Sequence, residues 1–181
     1  MPRLIHLNGP PGIGKSTLAQ LYADNHPGVL NLDIDRVRCL IGGWRECFGE
    51  SGELVRPIAL SMAGTHLRAG HDVVMPQYLG ALGEVERFET VAHASGASFC
   101  EIVIIDTLER SIERFSQRGR GEDLPWHDQV REYVELNVGP VLLADMHNRL
   151  CEVIASRPYA VVRSDLGAIR ETYEALVLAL G

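Results

Sequence analysis

The 181-residue sequence predicts an α/β fold: an open sheet of five parallel strands with helices on both faces and a small helical lid. Three observations predict it. Short apolar runs alternate along the chain with segments of helical apolar spacing. The run Phe99–Ile105 is apolar almost throughout, as suits a parallel strand covered on both faces. A glycine-rich segment stands between the first strand and the first helix.

The elements follow in order. Leu4–Leu7 is a short buried strand, and Thr17–Ala23 carries helical spacing just after the glycines. Val29–Leu32 is the second strand. Asp35 stands where it would N-cap a short helix, Arg36–Ile41. Leu54–Leu67 repeats apolar residues at helical intervals. Asp72–Met75 is the third strand, ended by Pro76, and a helix spans Leu82–Ala94. After the fourth strand, Thr107 is placed to cap a helix over Leu108–Arg118. A polar loop at 119–124 leads to helices through Asn137 and over Val141–Arg157, broken near Gly139-Pro140. Tyr159–Val162 is the fifth strand, and Ser164 is placed to cap a last helix ending near Leu180. The expected organisation is one domain, 1–181, with the lid at about 116–128 and a Gly-rich segment, 42–52, as a candidate cap over a substrate.

Composition narrows the function. No apolar run approaches ~20 residues, so no membrane span is expected. The chain runs directly into a strand without a signal-peptide pattern, and a cytoplasmic location is expected. Cys39, Cys47, Cys100 and Cys151 form no C-x-x-C pair and read as thiols in a reducing compartment. The histidines show no zinc spacing. A net charge of −7 argues against a long nucleic-acid footprint, while a local basic pocket for one phosphate-bearing ligand remains compatible with it.

Lys15 is the only lysine among 17 basic residues, and it lies in Gly9-Pro-Pro-Gly-Ile-Gly-Lys-Ser16. This spelling, G-x-x-x-x-G-K-[ST], is a phosphate-binding loop. Its glycines let successive backbone N–H groups turn inward on phosphate oxygens, and the following helix adds the positive end of its dipole. Gly9, Pro10, Pro11, Gly12, Ile13, Gly14, Lys15, Ser16 and Thr17 are the candidate nucleotide contacts. Lys15 would reach the β- and γ-phosphates of ATP as a compact point charge, which a planar guanidinium cannot replace. Ser16 would place its hydroxyl on Mg²⁺.

Asp33 and Asp35 follow the second strand, at the strand end where ligands of open α/β sheets bind. If the strand extends that far, they share one face. A carboxylate there can take the proton of a hydroxyl attacking a γ-phosphoryl group. Either aspartate could also hold Mg²⁺ through water, or Asp35 could serve only as a helix cap. Arg38 lies one turn beyond Asp35, placed to orient an anionic group of the acceptor or to pair with Asp35.

The run Asn25–Arg38, after the phosphate loop, resembles the start of the phage-type polynucleotide 5′-kinase domain. That family belongs to the P-loop kinases, alongside small kinases of antibiotics and metabolites. The resemblance implies a general base at Asp35 and an acceptor phosphate on Arg38. It resumes at Glu109–Gly119, where Ser116-Gln-Arg-Gly119 looks like the family's lid, with Arg118 against the transferring phosphate. The middle of the chain departs from the pattern: Gln77 stands where the family has an acidic residue after the third strand, and is kept as a candidate acceptor contact. Asp106 follows an apolar run, but on the fourth strand.

Arg110, Arg114 and Arg118 recur at four-residue intervals and would line one helix face, with Arg120 just beyond. Asp106 can offset Arg110, while Arg114 has no evident partner four residues away. Such a stripe suits a solvated face, or a lid whose arginines close on a triphosphate. The expected activity is transfer of the γ-phosphoryl of ATP to a hydroxyl of a small molecule or nucleoside. A 5′-hydroxyl of a polynucleotide is the alternative acceptor, and a nucleotide-dependent switch is the alternative class. A guanine-reading N-K-x-D motif cannot occur, because Lys15 is the only lysine.

The lone lysine makes one prediction. An amine-reactive reagent should modify only the N-terminus and Lys15, and MgATP should suppress modification of Lys15 as read by mass spectrometry. Equal labelling with and without nucleotide would show that the loop holds no triphosphate.

Overall fold

The computed structural model describes residues 1–117, 125–136, 139–157, 159–165 and 167–181, with only the backbone for 125–128. Five parallel strands form one sheet: β1 (Arg3–Asn8), β2 (Leu30–Asn31), β3 (Val73–Pro76), β4 (Ser98–Ile105) and β5 (Ala160–Arg163), in the order β2-β3-β1-β4-β5. The phosphate-loop strand β1 is central, with Leu4 opposite Val73 on one side and Phe99 on the other. The α/β expectation holds.

Alternation along the strands builds two cores. Leu4, Val73 and Met75 face α2 (Ile34–Arg38), α3 (Phe48–Arg68) and α4 (Leu82–Ala94), meeting Val37, Val55, Ala59 and Phe88. Ile5, Leu7, Val74, Ile102 and Ile104 face α1 (Lys15–Asn25) and α8 (Ile169–Leu180), meeting Leu18, Tyr22 and Leu176. Burial on both faces explains the continuous apolar character of the central strands. A third, smaller core joins α5 (Leu108–Gln117), α6 (Pro125–Leu136) and α7 (Pro140–Ser156) through Phe115, Val134 and Leu143.

The chain leaving β1 passes through α1 on one face, and the chain leaving β3 passes through α4 on the other. These strands are neighbours, so their outgoing loops part and open a crevice at the strand ends. Four sequence expectations need correction. β2 ends at Asn31, so Asp33 and Asp35 do not share a strand face. Asp33, not Asp35, caps α2: its Oδ1 accepts the Asp35 N–H at 3.1 Å, and the helix begins at Ile34. The long helix begins at Phe48, so the second half of the Gly-rich segment 42–52 is its first turn. Finally, α8 begins at Ile169 without a side-chain cap, because the Ser164 hydroxyl is engaged elsewhere. Thr107 does cap α5, accepting the Arg110 N–H at 3.3 Å. No disulfide forms among the four cysteines. Among the described residues no helix is long and apolar enough to cross a membrane.

Polar side chains on the α4-facing side of the sheet are fully enclosed. His6 and Asn8 are 0% exposed. His6 Nδ1 lies 3.5 Å from Glu101 Oε1, and Asn8 Nδ2 donates to the same oxygen at 3.2 Å. Arg157 approaches the other Glu101 oxygen at 3.2 Å and meets Glu89 at 2.8 Å. Burial alone would raise the Glu101 pKa. The contact with His6, the Asn8 amide and the charge of Arg157 outweigh burial and leave it below the ordinary 4.5.

Ionised Glu101 therefore stabilises the fold fully above pH ~4.5, and its contribution is lost as pH falls through the lower folded value. Glu101→Gln should cost about 3 kcal/mol at neutral pH, because Arg157 loses a buried partner. Urea denaturation should show wild type and variant converging in acid. An undiminished gap at low pH would contradict this assignment.

Candidate active site

The phosphate loop is shaped by two constraints. Gly9 lies so close under β4 that a Cβ there would clash with the Ile104 carbonyl oxygen. Gly14 holds φ +100°, in the left-handed region, and turns the chain into α1. Asn8 fixes the start of the loop: its Oδ1 accepts the Gly9 N–H at 2.9 Å and the Leu79 N–H at 3.1 Å, while its Nδ2 donates to the Leu79 carbonyl at 3.1 Å. One buried amide thus joins the loops leaving β1 and β3.

Helix α1 begins with no side-chain cap and no acidic residue in its first turn. Its amide end is open to an anion, which the helix dipole also favours. Lys15 is buried, and its Nζ donates to the Gly9 and Pro10 carbonyls at 2.8 and 2.9 Å. The loop folds around its own ammonium and holds the positive charge at the centre of the turn.

A cavity of about 1000 Å³ opens above the loop. Pro11, Gly12, Gly14, Lys15, Ser16 and Thr17 line its floor, and Asp35, Arg38 and Gln77 line it further out. The structure therefore gathers most of the sequence-predicted residues around one space. Arg38 Nη1 stands 3.3 Å from Asp35 Oδ1, and its guanidinium lies over the Phe48 ring at 4.2 Å. Asp33 is buried beside them as the α2 cap, and its second oxygen, Oδ2, has no hydrogen-bond partner among the described residues. Hard oxygen donors therefore exist for Mg²⁺: the Ser16 hydroxyl and the Asp35 carboxylate on the cavity, with the unsatisfied Asp33 oxygen behind. This set fits a magnesium ion held mainly by phosphates and water.

Gln77 follows β3, next to the loop strand, and its carbonyl lies 2.9 Å from His6 Nε2. Its side-chain oxygen is buried with no hydrogen-bond partner among the described residues. Arg114 is placed differently from the sequence expectation. It is buried behind the loop, 2.9 Å from Asp106 and hydrogen-bonded to the hydroxyl and carbonyl of Ser164. The Ser164 hydroxyl also reaches the Ile13 carbonyl at 3.4 Å. Arg114 thus ties β4, β5 and the loop together rather than lining the cavity. Its partner Asp106 lies eight residues earlier, beyond the four-residue spacing at which helical pairs are legible in sequence. Arg110 is exposed and pairs with Asp165 at 3.1 Å and with Asp106 at 3.7 Å. Arg118, Arg120 and most of the expected lid, 116–128, lie outside the described residues.

Several lining residues escaped the sequence reading. Arg56 on α3 meets Glu84 on α4 at 2.7 Å. Asp145 and Arg149 pair along α7 at 2.8 Å. Tyr78 donates to the Met146 carbonyl at 2.9 Å and so connects the β3 loop to α7. Burial pushes the Tyr78 phenol up to about 12. Phe48 and Tyr133 approach with ring centroids 5.7 Å apart, bridging α3 and α6. Only the Asp145–Arg149 pair carried a local signal, its i,i+4 spacing.

Sheet order, loop and open helix end define a P-loop nucleotide-binding fold. The family model described as an AAA domain matches residues 4–135, and the chain belongs to that family. No curated protein matches the sequence. Solved structures do. A protein described as a kinase from Chloroflexus aurantiacus J-10-fl is 20% identical, covers 99% of each chain and superposes with a TM-score of 0.71. The tunicamycin resistance protein of Deinococcus radiodurans is 18% identical over 100% of this chain and 96% of its own, with a TM-score of 0.64. A gluconokinase from Sinorhizobium meliloti 1021 is 18% identical over 99% and 94%, with a TM-score of 0.61. At these identities the likeness is one of fold.

Gly9→Ala tests the loop's packing. The new methyl would meet a backbone carbonyl that cannot swing aside, so a loss of ~1–3 kcal/mol is expected, read as a lowered thermal midpoint. An unchanged midpoint would mean that the loop lies farther from β4.

Proposed function

We propose that the protein is an ATP-dependent phosphotransferase that moves the γ-phosphoryl group to a hydroxyl of a small molecule. One observation carries this reading: Lys15, the uncapped start of α1 and the Asp35 carboxylate all face one cavity. The loop amides and Lys15 hold the β- and γ-phosphates. Ser16 and Asp35 would hold Mg²⁺, which would supply positive charge to offset that of the phosphates. Asp35 accepts the acceptor hydroxyl proton as its oxygen bonds to the γ-phosphorus, and the β–γ bridging oxygen leaves with ADP. Arg38 positions Asp35 through their 3.3 Å contact. Arg118, from the lid, supplies positive charge to the transferring group, as its place in the resemblance implies. Gln77, with its unsatisfied amide oxygen, is an acceptor contact. Structural neighbours described as kinases support a phosphotransferase. A cytoplasmic location belongs to this reading, because ATP is its phosphoryl donor.

The spacing of Asp35 and Arg38 also supports a second acceptor, a polynucleotide 5′-hydroxyl. Both readings differ from a switch, which would release only inorganic phosphate.

Asp35→Asn should leave ATP binding nearly intact and slow phosphoryl transfer by ~10²–10⁴. The measurement is incorporation of label from γ-labelled ATP, paired with calorimetric titration of ATP. Transfer at the wild-type rate would reduce Asp35 to a residue of the first turn of α2.

A further inference from the structure

Beyond the phosphate loop, the described residues that line the cavity include three arginines and three carboxylates, all in pairs. Arg38 meets Asp35 at 3.3 Å, Arg56 meets Glu84 at 2.7 Å, and Arg149 meets Asp145 at 2.8 Å. Among the described lining residues, the only other charged group is Lys15, which belongs to the phosphates. The acceptor half of the cavity is therefore close to neutral, although it is rich in charge.

This balance discriminates among acceptors. Each phosphate or carboxylate on an acceptor would share an arginine with the carboxylate already beside it, so the like charge of that carboxylate offsets the attraction. A polynucleotide brings a phosphate with each further nucleotide, and tracking it calls for excess positive charge. Hydroxyl groups make no such demand. They donate to carboxylates and accept from guanidinium groups without displacing either. The remaining lining is largely apolar and includes three aromatic rings. Phe48 and Tyr133 lie with ring centroids 5.7 Å apart and planes tilted by 42°, and Tyr78 lines the same cavity. Rings of this kind offer flat apolar area with a polar tip.

Resting on the phosphotransferase reading above, we propose that the acceptor is an uncharged, polyhydroxylated molecule built on a sugar ring. Its hydroxyls engage the arginine–carboxylate pairs and its apolar ring face lies on Phe48 and Tyr133. Free sugars and nucleosides share this chemistry, so the experiment presents them separately.

The test follows label from γ-labelled ATP into three sets of acceptors. The first is neutral: glucose, ribose, methyl glucoside, adenosine and uridine. The second is anionic: gluconate, glucuronate and nucleoside 5′-monophosphates. The third is a 5′-hydroxyl oligonucleotide. Label in the neutral set at higher kcat/KM than in the others is expected, and the separate compounds show whether sugar or nucleoside is preferred. Label confined to gluconate, glucuronate, monophosphates or oligonucleotide would overturn this inference and leave the phosphotransferase standing. Label in inorganic phosphate alone, with ATP bound, would overturn both.

A charge-altered variant provides a second readout. Glu84→Gln leaves Arg56 without its carboxylate, so the ratio of anionic to neutral kcat/KM should rise about tenfold, as one charged hydrogen bond allows. The double variant Arg56→Gln/Glu84→Gln should return the wild-type ratio, with circular dichroism confirming that both fold. A ratio unmoved in Glu84→Gln would show that charge balance does not select the acceptor.

Discussion

The structure depends on one buried amide, Asn8, at the carboxyl end of the central strand. It is fully enclosed, accepts the N–H groups of Gly9 and Leu79, and donates to the Leu79 carbonyl and to Glu101. An unpaired amide here would carry the full desolvation penalty of a buried polar group. Satisfying it fixes where the phosphate loop starts and where the β3 loop crosses above it. The positions of Lys15 below and of Gln77 and Tyr78 alongside follow from that junction.

The rest of the site extends this framework. Arg114 closes the loop's far side through Asp106 and Ser164, so two strand ends and the loop move as one piece. Asp33, by capping α2, sets the direction of a helix that presents Asp35 and Arg38 to the cavity. Such rigidity suits phosphoryl transfer, where catalysis rests on position and fixed charge more than on covalent chemistry. The outer wall is built from a separate small core of α5, α6 and α7. The hydrogen bond from Tyr78 to Met146 is one of its attachments to the main sheet.

The sequence disclosed the parts governed by local rules. The loop has a fixed spelling, the central strands are apolar because both faces are covered, and Thr107 caps α5 by its place before a helical run. Long-range competition decided what it did not disclose. Ser164 resembles a cap, yet its hydroxyl is drawn to Arg114, fifty residues away. Asp35 resembled the cap of α2 until the strand stopped at Asn31 and left that role to Asp33. The arginine stripe suggested a single charged face, but Arg114 turns inward to Asp106 and Arg110 outward to Asp165. The pair Arg56–Glu84 joins two helices with no sequence signal linking them.

The central claim is that Lys15 and the start of α1 form a triphosphate site. Calorimetric titration of MgATP into wild type and Lys15→Ala tests it most directly. Saturable binding by wild type, lost in a folded Lys15→Ala variant, is the predicted result. A wild-type protein that gives no saturable heat signal at millimolar MgATP, or a variant that binds equally well, would contradict it.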